Sequence, residues 1–260
     1  MLNMPKKIKG SVMLRLESNQ FCRVWEQTAK ECAFGTHVIA DADHYNLLYQ
    51  NGQFLGLVQP NGGVIYPFSV DPYKKGSRFK NRKIKSAKIV CISSAYNLNM
   101  PWGTKKSMIM YDRDGTPCYF GASGTLFLEL DPGDGGRNAD CLYRKLFSQE
   151  ESDRMTVEAV RNKLKPAFIE VIGAEIQDCL ENMNRPLTEL KGLTPKEKLE
   201  VSKSAYDNLK GFFATEYGLT LTKASQRSIV SELVVRKDAE EEAREGVGAP
   251  APQISPWMLF

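Results

Sequence analysis

Tyr45-Asn46-Leu47-Leu48-Tyr49-Gln50-Asn51-Gly52-Gln53-Phe54-Leu55-Gly56-Leu57-Val58, followed by Pro60-Asn61-Gly62-Gly63-Val64-Ile65-Tyr66, decides the fold class. Short apolar and aromatic runs flank Asn51-Gly52, a dipeptide that tolerates the positive φ angles of a tight hairpin turn, and a second turn signal precedes a third run. The spacing predicts a hairpin or meander within 37–66, and an antiparallel sheet that starts there. Three more strands are expected at 87–93, 107–111 and 118–130. The last two are joined through Asp112-Arg113-Asp114-Gly115, a turn in which the glycine can supply a positive φ.

Upstream of this region, Phe21, Val24, Trp25, Thr28 and Cys32 recur three or four residues apart and Gly35 follows, so an amphipathic helix closed by a glycine cap is expected over 19–32. Downstream the period becomes helical. Val157, Val160, Leu164, Phe168, Val171, Ile172, Ile176, Leu180 and Met183 form one apolar stripe, interrupted by Pro166, which removes a ladder hydrogen bond. Two stacked helical pieces sharing a buried face are therefore expected. Thr194-Pro195-Lys196-Glu197 reads as a capping box with proline at the first helical position, and Leu199, Tyr206, Leu209 and Phe213 continue that helix until Gly218 stops it. Leu219-Thr220-Leu221-Thr222 alternates as a returning strand should, and 234–245 ends in an acidic helical run. Altogether the pattern predicts a mixed α+β fold: a mostly antiparallel N-terminal sheet, then packed helices, a returning strand and a short charged C-terminal helix.

A chain of 260 residues, 42% hydrophobic and 25% charged, is long enough for a full core and has the balance of a globular protein. No apolar run approaches the roughly 20 residues that span a bilayer, and 1–10 is lysine-rich with no apolar stretch behind it, so a protein neither secreted nor membrane-spanning is expected. Cys22, Cys32, Cys91, Cys118, Cys141 and Cys179 form no C-x-x-C pair, which argues against zinc knuckles and redox motifs and for buried reduced thiols. His37 and His44, the two histidines, offer too little for a multi-histidine metal site or a histidine-based triad. Ser123 sits in Gly121-Ala122-Ser123-Gly124-Thr125, which is not a nucleophile elbow; the glycines suit a strand lying close to another backbone. The stretch 131–140 supplies acidic oxygens around glycines but lacks the EF-hand alternation, and reads as a polar loop from strand to helix. No Walker A or dinucleotide-binding motif occurs. No cofactor and no catalytic residue is expected.

Several words in this order resemble the stomatin/prohibitin/flotillin family, known as SPFH or band 7. The stretch from Tyr49 through Gly63 is similar to that family's early hairpin. Pro101-Trp102-Gly103-Thr104 and Phe120-Gly121-Ala122-Ser123-Gly124-Thr125 resemble strand-associated words of bacterial SPFH members often labelled virion-core-protein-like. Tyr217-Gly218-Leu219-Thr220-Leu221 is similar to the segment entering the domain's last strand. The resemblance covers about 38–232. It divides the chain into an N-terminal segment with its helix (1–36), an SPFH-like domain (37–232), a charged C-terminal helix (233–245) and a disordered proline-rich tail (246–260). The N-terminal hydrophobic hairpin, long coiled coil and C-terminal zinc ribbon found in various family members have no counterpart here. The resemblance implies a non-enzymatic scaffold that forms homo-oligomeric rings or larger assemblies and recruits partner proteins, cytoplasmic and at most peripheral at the inner face of the membrane.

Three stretches are the expected contact sites. Lys74, Lys75, Arg78, Lys80, Arg82, Lys83, Lys85 and Lys88 follow one another without an acidic residue between them, in keeping with an anionic membrane surface; a solvated loop between strands is the plainer reading. Arg236, Lys237, Glu240, Glu241 and Arg244 would pack subunits. Trp257, Met258, Leu259 and Phe260, beyond a proline-rich spacer, suit a peptide that docks in a partner's groove. Two alternatives compete: a nucleic-acid-binding module using 74–88, disfavoured because only Tyr73 and Phe79 could stack on bases, and a hydrolase with an unrecognised site.

Overall fold

The Asn51-Gly52 turn takes the conformation its residues favour, with φ of 52° at Asn51 and 79° at Gly52. Two consecutive left-handed residues match the right-handed twist of the strands they join. Those strands are parts of a computed structural model that describes residues 10–32, 35–59, 63–75, 84–94, 98–104, 108–147, 155–182, 186–190 and 192–236. The Asn51 side chain also accepts from the backbone N–H of Lys85 at 2.7 Å, which ties the turn to the start of a third strand.

Strands and helices together make a mixed α+β protein in which sheets come first and long helices later. The chain forms two compact units, neither of them a single contiguous segment. The first comprises 1–100, 127–168 and 208–223. It holds a three-stranded sheet of β1 (Ser11–Leu14), β3 (His37–Ala40) and β6 (Val64–Ile65), in the order β1-β3-β6. A four-stranded sheet contains β2 (Cys22–Thr28), β7 (Ser86–Ile92), β4 (Tyr45–Gln50) and β5 (Gln53–Leu57), in the order β2-β7-β4-β5. The second sheet is antiparallel throughout, whereas β1 and β3 run parallel. Leu14, Val38, Ala40 and Ile65 of the first sheet share one core with Trp25, Leu48, Ala87, Ile89 and Cys91 of the second. Each leucine, isoleucine or valine among them, removed from water, favours folding by about 1.5–3 kcal/mol.

The helix expected over 19–32 is a strand instead. β2 pairs along its full length with β7, from Cys22 opposite Ile92 to Thr28 opposite Ser86. Val24, Trp25 and Thr28 are β-branched or aromatic, and seven residues are too few for an apolar spacing of three or four to distinguish the two periods. Pairing with β7 and burial of Trp25 against the edge of Phe68, ring centroids 6.2 Å apart, decide the matter. Gly35 does have positive φ, 79°, but in the turn before β3 rather than at a helix end.

Two of the long helices pass from one unit into the other. α1 (Arg137–Leu146) belongs wholly to the first unit, so the last residues of the polar stretch 131–140 form its first turn rather than a loop. α2 (Val157–Glu181) is one helix with Pro166 inside it, not two pieces. A proline here forfeits one backbone hydrogen bond, and the buried stripe on both sides of it, Val160, Leu164, Phe168, Ile172, Ile176 and Leu180, keeps the helix continuous. α3 (Pro195–Tyr217) starts at the expected capping box: the Thr194 N–H and hydroxyl both donate to the Glu197 carboxylate at 2.8 Å, and the Glu197 N–H points back at Thr194 Oγ1 at 3.4 Å. Within the first unit, Phe168 of α2 and Phe213 of α3 pack with ring centroids 6.5 Å apart.

The second unit comprises 101–126, 169–207 and the described part of 224–260. Its centre is the long β10 (Pro117–Glu129), flanked by β8 (Leu98–Gly103), β9 (Met108–Tyr111) and β12 (Glu232–Arg236). The returning strand β11 (Thr220–Leu221) pairs with the end of β10 that lies in the first unit. Between β11 and β12 lies the single-turn α4 (Ser225–Ser228). The charged helix expected from 233 onward is corrected in its first residues: through Arg236 the chain is strand, held by its antiparallel pairing to Tyr119–Ser123 of β10. The rest of that expected helix and the tail 246–260 lie outside the described residues.

Gly124 shows why β10 carries glycine. A Cβ there would sit 1.9 Å from the Ile229 carbonyl oxygen, and that oxygen also accepts the Trp102 indole N–H at 2.7 Å. The backbone of 228–230 therefore lies directly on the strand, the close approach expected of the Gly121–Thr125 stretch, and Ser123 is a mid-strand residue rather than the apex of a turn. Ser202 of α3 completes the joint, its hydroxyl donating to the Val230 carbonyl at 3.2 Å and accepting from the Val230 N–H at 3.1 Å.

Candidate interaction surfaces

The basic stretch 74–88 divides into parts with different surroundings. Lys74 and Lys75 are exposed at the end of an ordered loop that follows β6. That loop is closed by the Tyr66 N–H donating to the Pro72 carbonyl at 2.7 Å and by the Ser69 hydroxyl donating to the Lys74 carbonyl at 2.9 Å. Gln50 of β4 braces it from below, its side-chain amide donating to the carbonyls of Pro67 and Ser69, both at 2.9 Å. Asp71 caps the turn by accepting the Tyr73 N–H and pairs with Lys74 at 3.2 Å; these contacts hold its carboxyl below the usual range. Two apolar side chains crown the loop in water, Val70 at 69% exposure and Tyr73 at 40%. Arg78, Lys80, Arg82 and Lys83 lie outside the described residues.

Lys85 is exposed just before β7, but Lys88 departs from the expectation. It lies inside β7, half-buried, with its ammonium 4.8 Å from the centroid of the Tyr49 ring and 5.2 Å from that of Tyr143. The period of two explains this: Ala87 and Ile89 face the core between the sheets, so Lys88 faces the other side, opposite Tyr49 of β4.

That other side carries a polar cluster which sequence reasoning missed. The Tyr49 hydroxyl donates to Asp140 Oδ1 at 2.5 Å, and Arg144, one turn further along α1, donates to the same oxygen at 2.9 Å. Burial, followed by the hydrogen bond to Asp140, pushes the Tyr49 phenol far up, so it stays a protonated donor. Tyr143 stacks on Phe147, ring centroids 5.4 Å apart. The arrangement couples α1 to β4 and β7 through a cation on two rings and a shared carboxylate. Its groups serve one another, which suits fastening. The Asp140/Arg144 spacing of four residues was the one local hint of it.

Asp112, in the turn between β9 and β10, accepts the Thr188 hydroxyl at 2.7 Å and the Thr188 and Arg113 backbone N–H groups at 3.2 and 2.8 Å. The Thr188 hydroxyl contributes most to holding its carboxyl down at about 2. None of the six cysteines forms a disulfide; Cys22, Cys32, Cys91 and Cys118 are buried, as expected, whereas Cys141 and Cys179 are only partly so. Burial raises the Cys91 thiol to about 12. Among the described residues, no cluster of three or more histidine, cysteine, aspartate or glutamate side chains could hold a metal ion, and no helix is long and apolar enough to cross a membrane.

Of the residues expected to pack subunits, Arg236 closes β12 opposite Tyr119, while Lys237, Glu240, Glu241 and Arg244 lie outside the described residues, as do Trp257, Met258, Leu259 and Phe260. The sheet of the second unit presents an outer face of its own, with Ile109 at 54%, Tyr111 at 69% and Val234 at 41% exposure.

Compared with protein-family models and with curated proteins, the chain matches none.

Proposed function

We propose that this chain is a non-enzymatic, SPFH-type scaffold that associates with itself, recruits partner proteins, and touches an anionic membrane surface from the cytoplasmic side. The observation that carries the membrane part is the loop 66–75. It is braced from below, lifts Val70 and Tyr73 into water beside Lys74 and Lys75, and leads directly into Arg78, Lys80, Arg82 and Lys83. Exposed apolar side chains beside lysines are the chemistry that inserts among acyl chains while the charges meet headgroups, each basic residue adding about 1 kcal/mol near the surface. The scaffold part draws on the order of SPFH-like words and on the tail 257–260 as a docking peptide. Self-association would multiply a weak loop contact into firm attachment through avidity.

Mass photometry of the purified chain, paired with flotation on phosphatidylserine-containing and pure phosphatidylcholine vesicles, tests this reading. A large discrete assembly that floats only with the anionic vesicles is expected. A monomer that ignores both sinks the proposal, and steeply salt-dependent binding to RNA or DNA in place of vesicles would assign the basic stretch to nucleic acid.

A further inference from the structure

Seven large hydrophobic side chains are exposed among the described residues, and three of them, Ile109, Tyr111 and Val234, lie on one face of the β9-β10-β12 sheet. Directly opposed residues of antiparallel strands point to the same side. The register therefore sets Ile109 beside Tyr119, Tyr111 beside Pro117, and Val234 beside Gly121. Along β10 the alternation buries Cys118, Phe120 and Ala122 on the other side and leaves Tyr119 and Gly121 on this one. At its far end the strip turns polar, at Ser123 opposite Glu232. Single exposed apolar side chains are ordinary, but a contiguous strip with a polar rim marks a surface that something covers.

We propose that this strip is the seat of the chain's own residues Trp257, Met258, Leu259 and Phe260. β12 runs antiparallel to β10 and ends at Arg236, opposite Tyr119, so the chain leaves the sheet beside the aromatic end of the strip. Twenty residues, 237–256, separate that exit from Trp257. Such a tether spans up to about 65 Å when extended, far more than a fold-back onto the adjacent strands requires. Short tethers also hold their ends at roughly millimolar effective concentration, which favours the chain's own segment over one arriving from solution. The intervening residues are poorly suited to the role: 238–245 carries Asp238, Glu240, Glu241, Glu242 and Glu245, and 246–256 is mostly glycine, alanine, proline and other small or polar residues. The first dense apolar run after the sheet is 257–260, and four large side chains meet a strip built from Ile109, Tyr111, Tyr119 and Val234. The inference rests on the reading of 257–260 as a docking peptide and gives that peptide a resting site, so that a partner must displace it from the sheet before binding it.

The test uses the full chain carrying a photo-crosslinking benzoylphenylalanine in place of Tyr111, a position exposed enough to accept it without disturbing the core. Irradiation of dilute protein, with no lipid or partner present, is followed by peptide mapping. The expected product joins position 111 to a peptide containing 257–260 within one chain, and it falls at least several-fold when Val234→Lys, or Trp257→Ala with Phe260→Ala, is added, while the melting temperature stays unchanged. Two results overturn the proposal. A crosslink to 108–111 or 232–236 of a second chain would mean that another copy covers the strip, and no crosslink would mean that the strip is bare. Because the readout needs neither vesicles nor partners, its failure leaves the flotation and assembly results to stand or fall by themselves.

Discussion

Asp112 carries a pH dependence that can be assigned to one carboxylate. Its carboxyl lies at about 2 in the folded chain because Thr188 and two backbone N–H groups favour the ionised form, against an ordinary aspartate value near 3.8. A depressed folded value means that the contribution to stability is fully present above the ordinary value and is lost as pH falls through about 2. Melting curves of the native chain and of Asp112→Asn should differ most at neutral pH and converge as pH drops from about 4 toward 2. Tyr49 offers a second single-residue test. Tyr49→Phe keeps the ring beneath Lys88 but removes a hydrogen bond to a charged carboxylate, and urea unfolding should show a loss of about 1.5–3 kcal/mol. Neither effect was legible in the sequence. Asp112 and Thr188 are separated by 76 residues, Tyr49 and Asp140 by 91, and no local pattern announces such pairs.

Elements with local causes were readable. Asn51-Gly52 turns the chain within two residues, and Thr194 with Glu197 closes a helix end within four, so each signal sits entirely inside the window that reveals it. Thr194→Ala should accordingly cost about 1 kcal/mol in chemical denaturation while leaving the fold intact. Asn51→Ala keeps a side chain at φ 52° without the amide that accepts from Lys85 and should cost about 1–2 kcal/mol by the same measurement. β2 reads as a helix locally because its partner lies 58 to 70 residues away, and only β7 reveals that Trp25 faces a sheet core rather than a helix groove. α1 went unseen because a glycine-rich approach, with Gly133, Gly135 and Gly136 all at positive φ, masks a helix of only ten residues. Pro166 does not split α2 because one lost hydrogen bond is a few kcal/mol at most, set against apolar burial along both halves of the helix.

At the scale of the molecule, the class of fold followed from the switch from period two to period 3.6, but its partition did not. The basic stretch is not one patch: Lys88 belongs to a strand face beneath α1, and only Lys74, Lys75 and Lys85 of its described members stand in water. Exposed Val70 and Tyr73 were the missing signal, since nothing in the sequence tells an outward valine from a core one. Val70→Asp with Tyr73→Asp should reduce flotation on phosphatidylserine vesicles by tenfold or more, with assembly size by mass photometry unaffected.

The chain passes from one unit to the other within β8 at Met100/Pro101, within β10 at Leu126/Phe127, within α2 at Phe168/Ile169, within α3 at Asp207/Asn208 and again after Lys223. During synthesis the chain emerges from its N-terminal end, yet the first unit needs residues as late as 208–223 to be whole. Its sheets, α1 and the first half of α2 can form early, but its share of α3 is translated after them. Neither unit is therefore encoded by one uninterrupted stretch of the gene, and a ribosome stalled before residue 208 should hold a nascent chain whose first unit proteases cut more readily than in the full chain.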